Sequence, residues 1–439
     1  MGNNIISVGI FFDGTGNNGI NATASRKPPA SHESYYGNTT NIYKLFRLFE
    51  GDEKLYVEGI GTVTGYEDND FSMATCTNSR GTYGYSSDEK LQKAFSFMEA
   101  LTHDSGKQYH LYVYGFNRGA MLARNFCYEL QKQGAVVQVK FLGLFDTVES
   151  AAFNEYAVSV LPATENVLHL CAGHETRYFF PLTGIFEESK DMQDTKYEAG
   201  AAVWKEIFVP GAHADVGGGY LEASQSVYVS PKMINDTELC EYIANITDEK
   251  YSLWSHLLED CMIDSGDVFS KAYVARDLVY ADLSKVYGRL MLTESNRVNA
   301  VFSTRFDESD FLFSTEKHPY LEILYHELEN YAQDLLPALR PVYDYGKLAG
   351  YTHLSANFGL YYPELLLDSK SGALAELINN GLNVPTRTDE RVRKSRLKRQ
   401  SEIHHIENSK VDYAYGTNIP NNDHWNRTII IKEKLYNKC

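Results

Sequence analysis

The sequence predicts an α/β fold, with a mainly parallel, doubly wound sheet. Two observations lead there. Short apolar runs alternate along the chain with segments whose apolar residues recur at helical spacing. Each of the main runs then breaks into a loop rich in Gly, Asp and Asn, the punctuation of a strand's carboxyl end. Ligand sites of such sheets lie at those ends, so these loops are where chemistry is expected.

Taken in order, Ile5–Phe12 is an apolar run that breaks at Asp13-Gly14-Thr15-Gly16-Asn17-Asn18, a buried strand feeding a glycine-rich loop. Ile42, Leu45, Phe46 and Phe49 fall at helical spacing, and Leu55-Tyr56-Val57 gives a second strand closing on Gly59-Ile60-Gly61. A helix is expected from Asp88 to Leu101, with Ser87 or Asp88 as its N-cap. His110–Tyr114 is the next strand and Ala120–Gln131 the helix after it. Val136–Phe145 closes on Asp146-Thr147-Val148, and Ile207-Phe208-Val209 closes on Pro210 to Tyr220 with Gly217, Gly218 and Gly219 inside. The pattern divides the chain into a core over 1–225, a helical insertion or lid over 226–350, and a final segment over 351–439.

The 439 residues are 43% apolar and 23% charged, the balance of an ordinary globular protein. The net charge of −17 argues against nucleic acid as a partner. Six cysteines are scattered without metal or disulfide spacing and read as reduced thiols. The N-terminus, Met1-Gly2-Asn3-Asn4, lacks the basic and apolar regions of a signal peptide, so synthesis in the cytoplasm is expected. Arg391, Arg393, Lys394, Arg396, Lys398 and Arg399 form a local basic run in an acidic chain. It reads as a solvated face or as a contact for anionic lipid.

The most informative stretch is Gly115-Phe116-Asn117-Arg118-Gly119. Glycine, x, nucleophile, x, glycine between a strand and a helix is the nucleophile elbow of an α/β-hydrolase, which lifts a serine above the sheet on a strained turn. Here Asn117 holds the serine's place, and an amide is not a nucleophile. Such a site also needs an acid and then a histidine in chain order. Asp215, in a glycine-rich loop after a later strand, is the expected acid. Asp146, one strand earlier, is the competing acid. His353, in a short loop after the insertion, follows Asp215 and is preferred to His213, which precedes it. The backbone N–H of Arg118 is the expected half of an oxyanion hole, and the Gly14-Thr15 loop the other half. Asp13-Gly14-Thr15 reads as an oxyanion and turn element rather than a metal site, and no cofactor is expected.

Six stretches occur in one order: Phe12–Asn18, Asn38-Thr39-Thr40-Asn41-Ile42, Gly59-Ile60-Gly61-Thr62, the elbow, Leu144–Val148 and Pro210–Tyr220. That order resembles the first family of bacterial type VI secretion lipase effectors, within a wider α/β-hydrolase family of unknown function. The resemblance covers roughly residues 5–220 and the His353 loop. Members carry Gly-Phe-Ser-Arg-Gly-Ala at the elbow, so their serine falls on Asn117, their acid on Asp215 and their histidine on His353. The resemblance implies phospholipase A cleavage of membrane phospholipids in rival bacteria. It also implies a cognate immunity protein, a secretion spike or adaptor as carrier, and delivery to the target cell's periplasm without a cleaved signal.

Asparagine at the elbow implies a scaffold that is inactive as written, because losing a triad nucleophile costs about 10⁶-fold in rate. Asn tolerates the positive φ that an elbow demands, so the fold is kept while the attacking atom is lost. The alternatives are a natural pseudoenzyme that binds lipid or protein, and an intracellular esterase of other specificity.

Overall fold

The computed structural model describes residues 5–358 and 420–430, apart from 29–31, 104–105, 134–136, 152–153, 231–235, 248–251, 266–269 and 423. The basic run at 391–399 lies outside the described residues. The centre is a seven-stranded sheet. Its strands are β1 (Ile5–Phe12), β2 (Glu53–Val57), β3 (Gln108–Phe116), β4 (Val137–Phe145) and β5 (Asn166–Ala172), followed, after the two-residue β6 (Leu182–Thr183) outside this sheet, by β7 (Thr195–Ala199) and β8 (Ala202–Val209). Their order is β2-β1-β3-β4-β5-β8-β7. All pairings are parallel except the hairpin of β7 with β8 at one edge.

The strands read as nearly continuous apolar runs because helices cover both faces of the sheet. Successive side chains point to opposite faces, and two cores result. Ile10, Phe12, Leu111 and Val113 enter one core with Leu91, Ala94 and Met98 of the helix Ser87–Thr102 and with Met121 and Phe126 of the helix Arg118–Lys132. Phe11, Tyr112, Tyr114 and Phe116 enter the other with Ile42 and Leu45 of the helix Asn41–Leu48 and with Val286, Leu290 and Met291 of the helix Leu283–Val298. In that second core Tyr114 stacks on Phe11 with centroids 5.1 Å apart and lies 5.8 Å from Phe141. The Tyr114 hydroxyl donates to Ser295 Oγ at 2.9 Å, which ties the helix Leu283–Val298 to the middle of the sheet.

Local signals explain the helix starts. Ser86 accepts from Glu89 N while the Glu89 side chain returns to Ser86 N, a reciprocal cap one residue before the earlier of the two expected N-caps. Thr40 Oγ1 accepts from Tyr43 N at the head of the helix Asn41–Leu48.

The stretch 226–350 is mixed rather than purely helical. It contributes β10 (Met262–Ser265), β11 (Ser270–Val279) and part of β9 (Ala223–Tyr228), which form an antiparallel sheet in the order β10-β11-β9. Its helix Leu283–Val298 belongs to the core layer, since Val286, Tyr287, Leu290 and Met291 are fully buried. Their spacing makes one continuous apolar face, which must be covered. Residues 420–430 return to the core, where β12 (Ile429–Ile430) pairs in parallel with β6.

Candidate active site

The elbow has the backbone its residues call for. β3 ends at Phe116, Asn117 sits at φ 58° and ψ −132°, and the helix begins at Arg118. The flanking glycines are required by contact. A Cβ on Gly119 would run into the carbonyl oxygens of Asp13 and Phe12, and one on Gly115 into the backbone of Ala120. Asn117 N donates to Phe145 O at 3.2 Å, and Val148 N donates to Asn117 O at 3.3 Å, which clamps the turn to the end of β4. The Asn117 side chain folds back on its own helix, with Oδ1 accepting from Arg118 N at 2.7 Å. The N–H expected to receive an oxyanion is therefore engaged by the amide itself.

The loop after β1 is organised by Asp13. Its carboxylate accepts from Thr40 Oγ1 at 2.6 Å, Tyr56 Oη at 2.5 Å and Gly14 N at 2.8 Å. Burial raises this carboxyl to about 6, against the lowering effect of those bonds. Thr15 lines the same cleft as Asn117, and its hydroxyl is buried without a partner among the described residues.

Asp146 closes β4 at φ 40°. Its Oδ2 lies 2.6 Å from His213 Nδ1, and its Oδ1 accepts from Ala172 N at 2.9 Å. Arg427 reaches in from the far end of the chain and donates through Nη2 to both carboxylate oxygens, at 2.9 and 3.0 Å. Burial alone would raise Asp146. The Arg427 guanidinium, then the bond and charge of His213, outweigh it and hold the carboxyl below its ordinary value. An ionised Asp146 accepts, so the His213 Nδ1 carries the proton and Nε2 keeps a free lone pair. That Nε2 is buried without a partner among the described residues. Burial lowers the His213 pKa despite Asp146, so the ring is a neutral base. It packs against Phe116, the residue before Asn117, with centroids 4.5 Å apart.

Asp215 and His353 form a second pair of the same kind. Asp215 Oδ1 lies 2.6 Å from His353 Nδ1, and Oδ2 accepts from the backbone N–H groups of His353 and Ala212 at 3.0 and 2.9 Å. The His353 ring stacks on Tyr220 at 4.1 Å, and its Nε2 is likewise buried and unpartnered. The two pairs differ in where they face. Thr15, Asn117, Arg118, His213, Arg177 and Tyr220 all line one cleft of about 280 Å³. Asp215 and His353 are not among its lining residues; His353 lies against Tyr220, a residue of its wall.

The sequence reading missed His213 as the partner of Asp146, because a histidine two residues before an expected acid looked out of order. It also missed Arg427 and Arg177, which carry no local motif. One buried group has the composition of a cation site: His169, Cys171 and Glu206 bring one ligand atom each within 4.8 Å. Both ring nitrogens of His169 are already used. Nε2 accepts from Thr147 N at 3.2 Å, and Nδ1 lies 2.7 Å from Glu206 Oε2. These residues brace the loop that carries Asp146.

The family model described as "T6SS, Phospholipase effector Tle1-like, catalytic domain" matches residues 7–136 and 126–240, together more than half of the chain. Among solved structures, a Tle1 effector bound to the VgrG spike of the type 6 secretion system superposes with a TM-score of 0.60 at 18% identity, covering 98% of this chain and 94% of that one. An uncharacterized protein from Pseudomonas aeruginosa aligns with a TM-score of 0.41 at 16% identity, covering 96% of this chain and 65% of that one. No curated protein matches.

Proposed function

Since the chain belongs to the Tle1-like catalytic-domain family of type VI secretion phospholipase effectors, we propose that it is a phospholipase A-type ester-hydrolase scaffold silenced at position 117. In this reading Asn117 occupies the nucleophile's place, and His213 with Asp146 is the base and its orienting acid. Arg118 N and the Gly14-Thr15 loop are the oxyanion donors. The pair Asp215–His353, which follows position 117 in the same order, is assigned to the backing of the cleft wall instead, behind Tyr220. The observation that carries the choice is that His213, not His353, lines the cleft with Asn117.

With serine at 117, Oγ would attack the ester carbonyl carbon while its proton passes to His213 Nε2. The negative oxygen of the tetrahedral intermediate would take the Arg118 N–H, a contact of a kind that contributes about 3–4 kcal/mol to the transition state. Collapse releases the lysolipid alcohol, which takes the proton from Nε2. Water then repeats the sequence on the acyl-enzyme. Asp146 remains ionised throughout and fixes the ring's tautomer.

Asn117 removes the attacking atom and places its own carbonyl on the Arg118 N–H. That satisfied amide also favours a second reading, a pseudoenzyme whose cleft binds lipid without turnover. Family membership supports a secretion spike as carrier, a cognate immunity protein and action in the target cell's periplasm.

The test is Asn117→Ser with phospholipid vesicles and a short-chain ester as substrates. Release of fatty acid supports the hydrolase reading. A folded Asn117→Ser protein inert toward both substrates sinks it and leaves the binding module.

A further inference from the structure

We propose that the part of the cleft wall formed by Arg177 and Tyr220 is a phosphodiester subsite, in which both residues donate to the phosphate of a glycerophospholipid. The proposal rests on the reading of this cleft as a lipid-ester site and assigns what holds the other end of the substrate.

Arg177 is a prepared donor. Glu175 takes its Nε at 2.9 Å and its Nη2 at 2.9 Å, and the guanidinium carbon stands 3.6 Å from the centre of the Phe180 ring. The planar group is thus fixed on one edge and one face. Its Nη1 makes no hydrogen bond to the described residues, and the residue lines the cleft. A guanidinium held this way loses little entropy when it meets an anion.

Tyr220 is the second donor. It is 6% exposed, lines the cleft, and its hydroxyl is buried with no partner among the described residues. A buried hydroxyl left unpaired costs about 1–3 kcal/mol, so a ligand oxygen or water is the expected occupant. Burial pushes the phenol well above its ordinary value, so it stays a neutral donor. Tyr220 and Arg177 are close enough for each charge state to perturb the other. The stack of Tyr220 on His353, itself held by Asp215, fixes the ring. The second Asp–His pair thereby gains a role as the backing of the subsite.

The acidic neighbour does not oppose an anion at neutral pH. Glu33 lines the same cleft and is raised to about 8, by burial first, then by Asp68 and Asp70, with Arg177 acting the other way. A protonated Glu33 is a third donor rather than a repelling charge. Among the described residues the charged groups lining the cleft are Arg118, Arg177, which is paired with Glu175 on its other edge, and Glu33, which is discharged.

The chain with Asn117 allows binding to be read without turnover. Calorimetric titration with dihexanoyl-phosphatidylcholine, dihexanoylglycerol and inorganic phosphate separates the sources of affinity. The phospholipid should bind at least tenfold more tightly than the diglyceride. Tyr220→Phe, which keeps the ring stack, and Arg177→Gln should each weaken the phospholipid about tenfold, the scale of one lost hydrogen bond to a charged group. Equal affinity for phospholipid and diglyceride overturns the proposal, as does unweakened phospholipid binding by a folded Tyr220→Phe protein. Inorganic phosphate bound as tightly as the phospholipid assigns the site to a free anion and overturns the headgroup. An inert Asn117→Ser protein that still shows the tenfold binding pattern ends the hydrolase reading and leaves the subsite standing. An active one whose phospholipid-to-diglyceride kcat/KM ratio ignores Tyr220→Phe does the reverse.

Discussion

His213 and Asp146 lie 2.6 Å apart although they are 67 positions apart in the chain, and they meet beside Asn117 at the end of β3. β4 delivers the acid beside the elbow, and β8 delivers the histidine across β5. Nucleophile position, acid and histidine then follow one another along the chain as an α/β-hydrolase requires.

In the Asn117→Ser background, His213→Ala should reduce fatty-acid release by roughly 10⁴-fold or more, as for a missing triad base. His353→Ala should cost less than about 10²-fold, because it acts through Tyr220 rather than on the reacting atoms. Initial rates on vesicles distinguish the two, and the reverse ranking restores His353 as the base.

Removing Arg427 should be costly and pH-dependent. Asp146 is held low in the folded state, so the pair's contribution is present above the unfolded carboxylate range and fades as pH falls through the folded value. Arg427→Gln leaves a buried lone charge, worth about 3–5 kcal/mol near pH 7. In the variant burial is no longer offset by the guanidinium, so the deficit should shrink toward pH 4 as its Asp146 takes up a proton. Urea unfolding at both values measures it, and a deficit independent of pH would count against this pairing.

Glu33 carries the opposite sign. Raised to about 8, it keeps a proton that the unfolded chain has lost, so its contribution is complete at low pH and disappears as pH rises through about 8. Glu33→Gln should therefore flatten the loss of stability between pH 6 and pH 9. Parallel midpoints for the two proteins across that range would contradict the shift.

At the elbow, Gly119→Ala should destabilise by about 1–3 kcal/mol, the cost of overpacking. The new methyl meets the backbone of Phe12 and Asp13, which cannot step aside as a side chain would. A thermal melt suffices to check it.

The elbow, the strand ends and both acids were legible because each is written locally, as an apolar run followed by a glycine-rich break. Which acid faces which histidine was not, because Asp215 and His213 sit two residues apart on one short helix and point into different neighbourhoods. Helical rotation, not chain order, sorts them. The lid expectation met the helix Leu283–Val298, whose polar residues suggested solvent while its apolar stripe packs on the sheet. Arg427 had no signal at all, since its partner is 281 positions away.

That distance has a consequence for timing. In synthesis Asp146 emerges 281 positions ahead of Arg427. Until Arg427 has left the ribosome, the acid beside the elbow lacks the cation that holds its carboxyl low. Completion of that corner therefore waits on the synthesis of everything between the two residues.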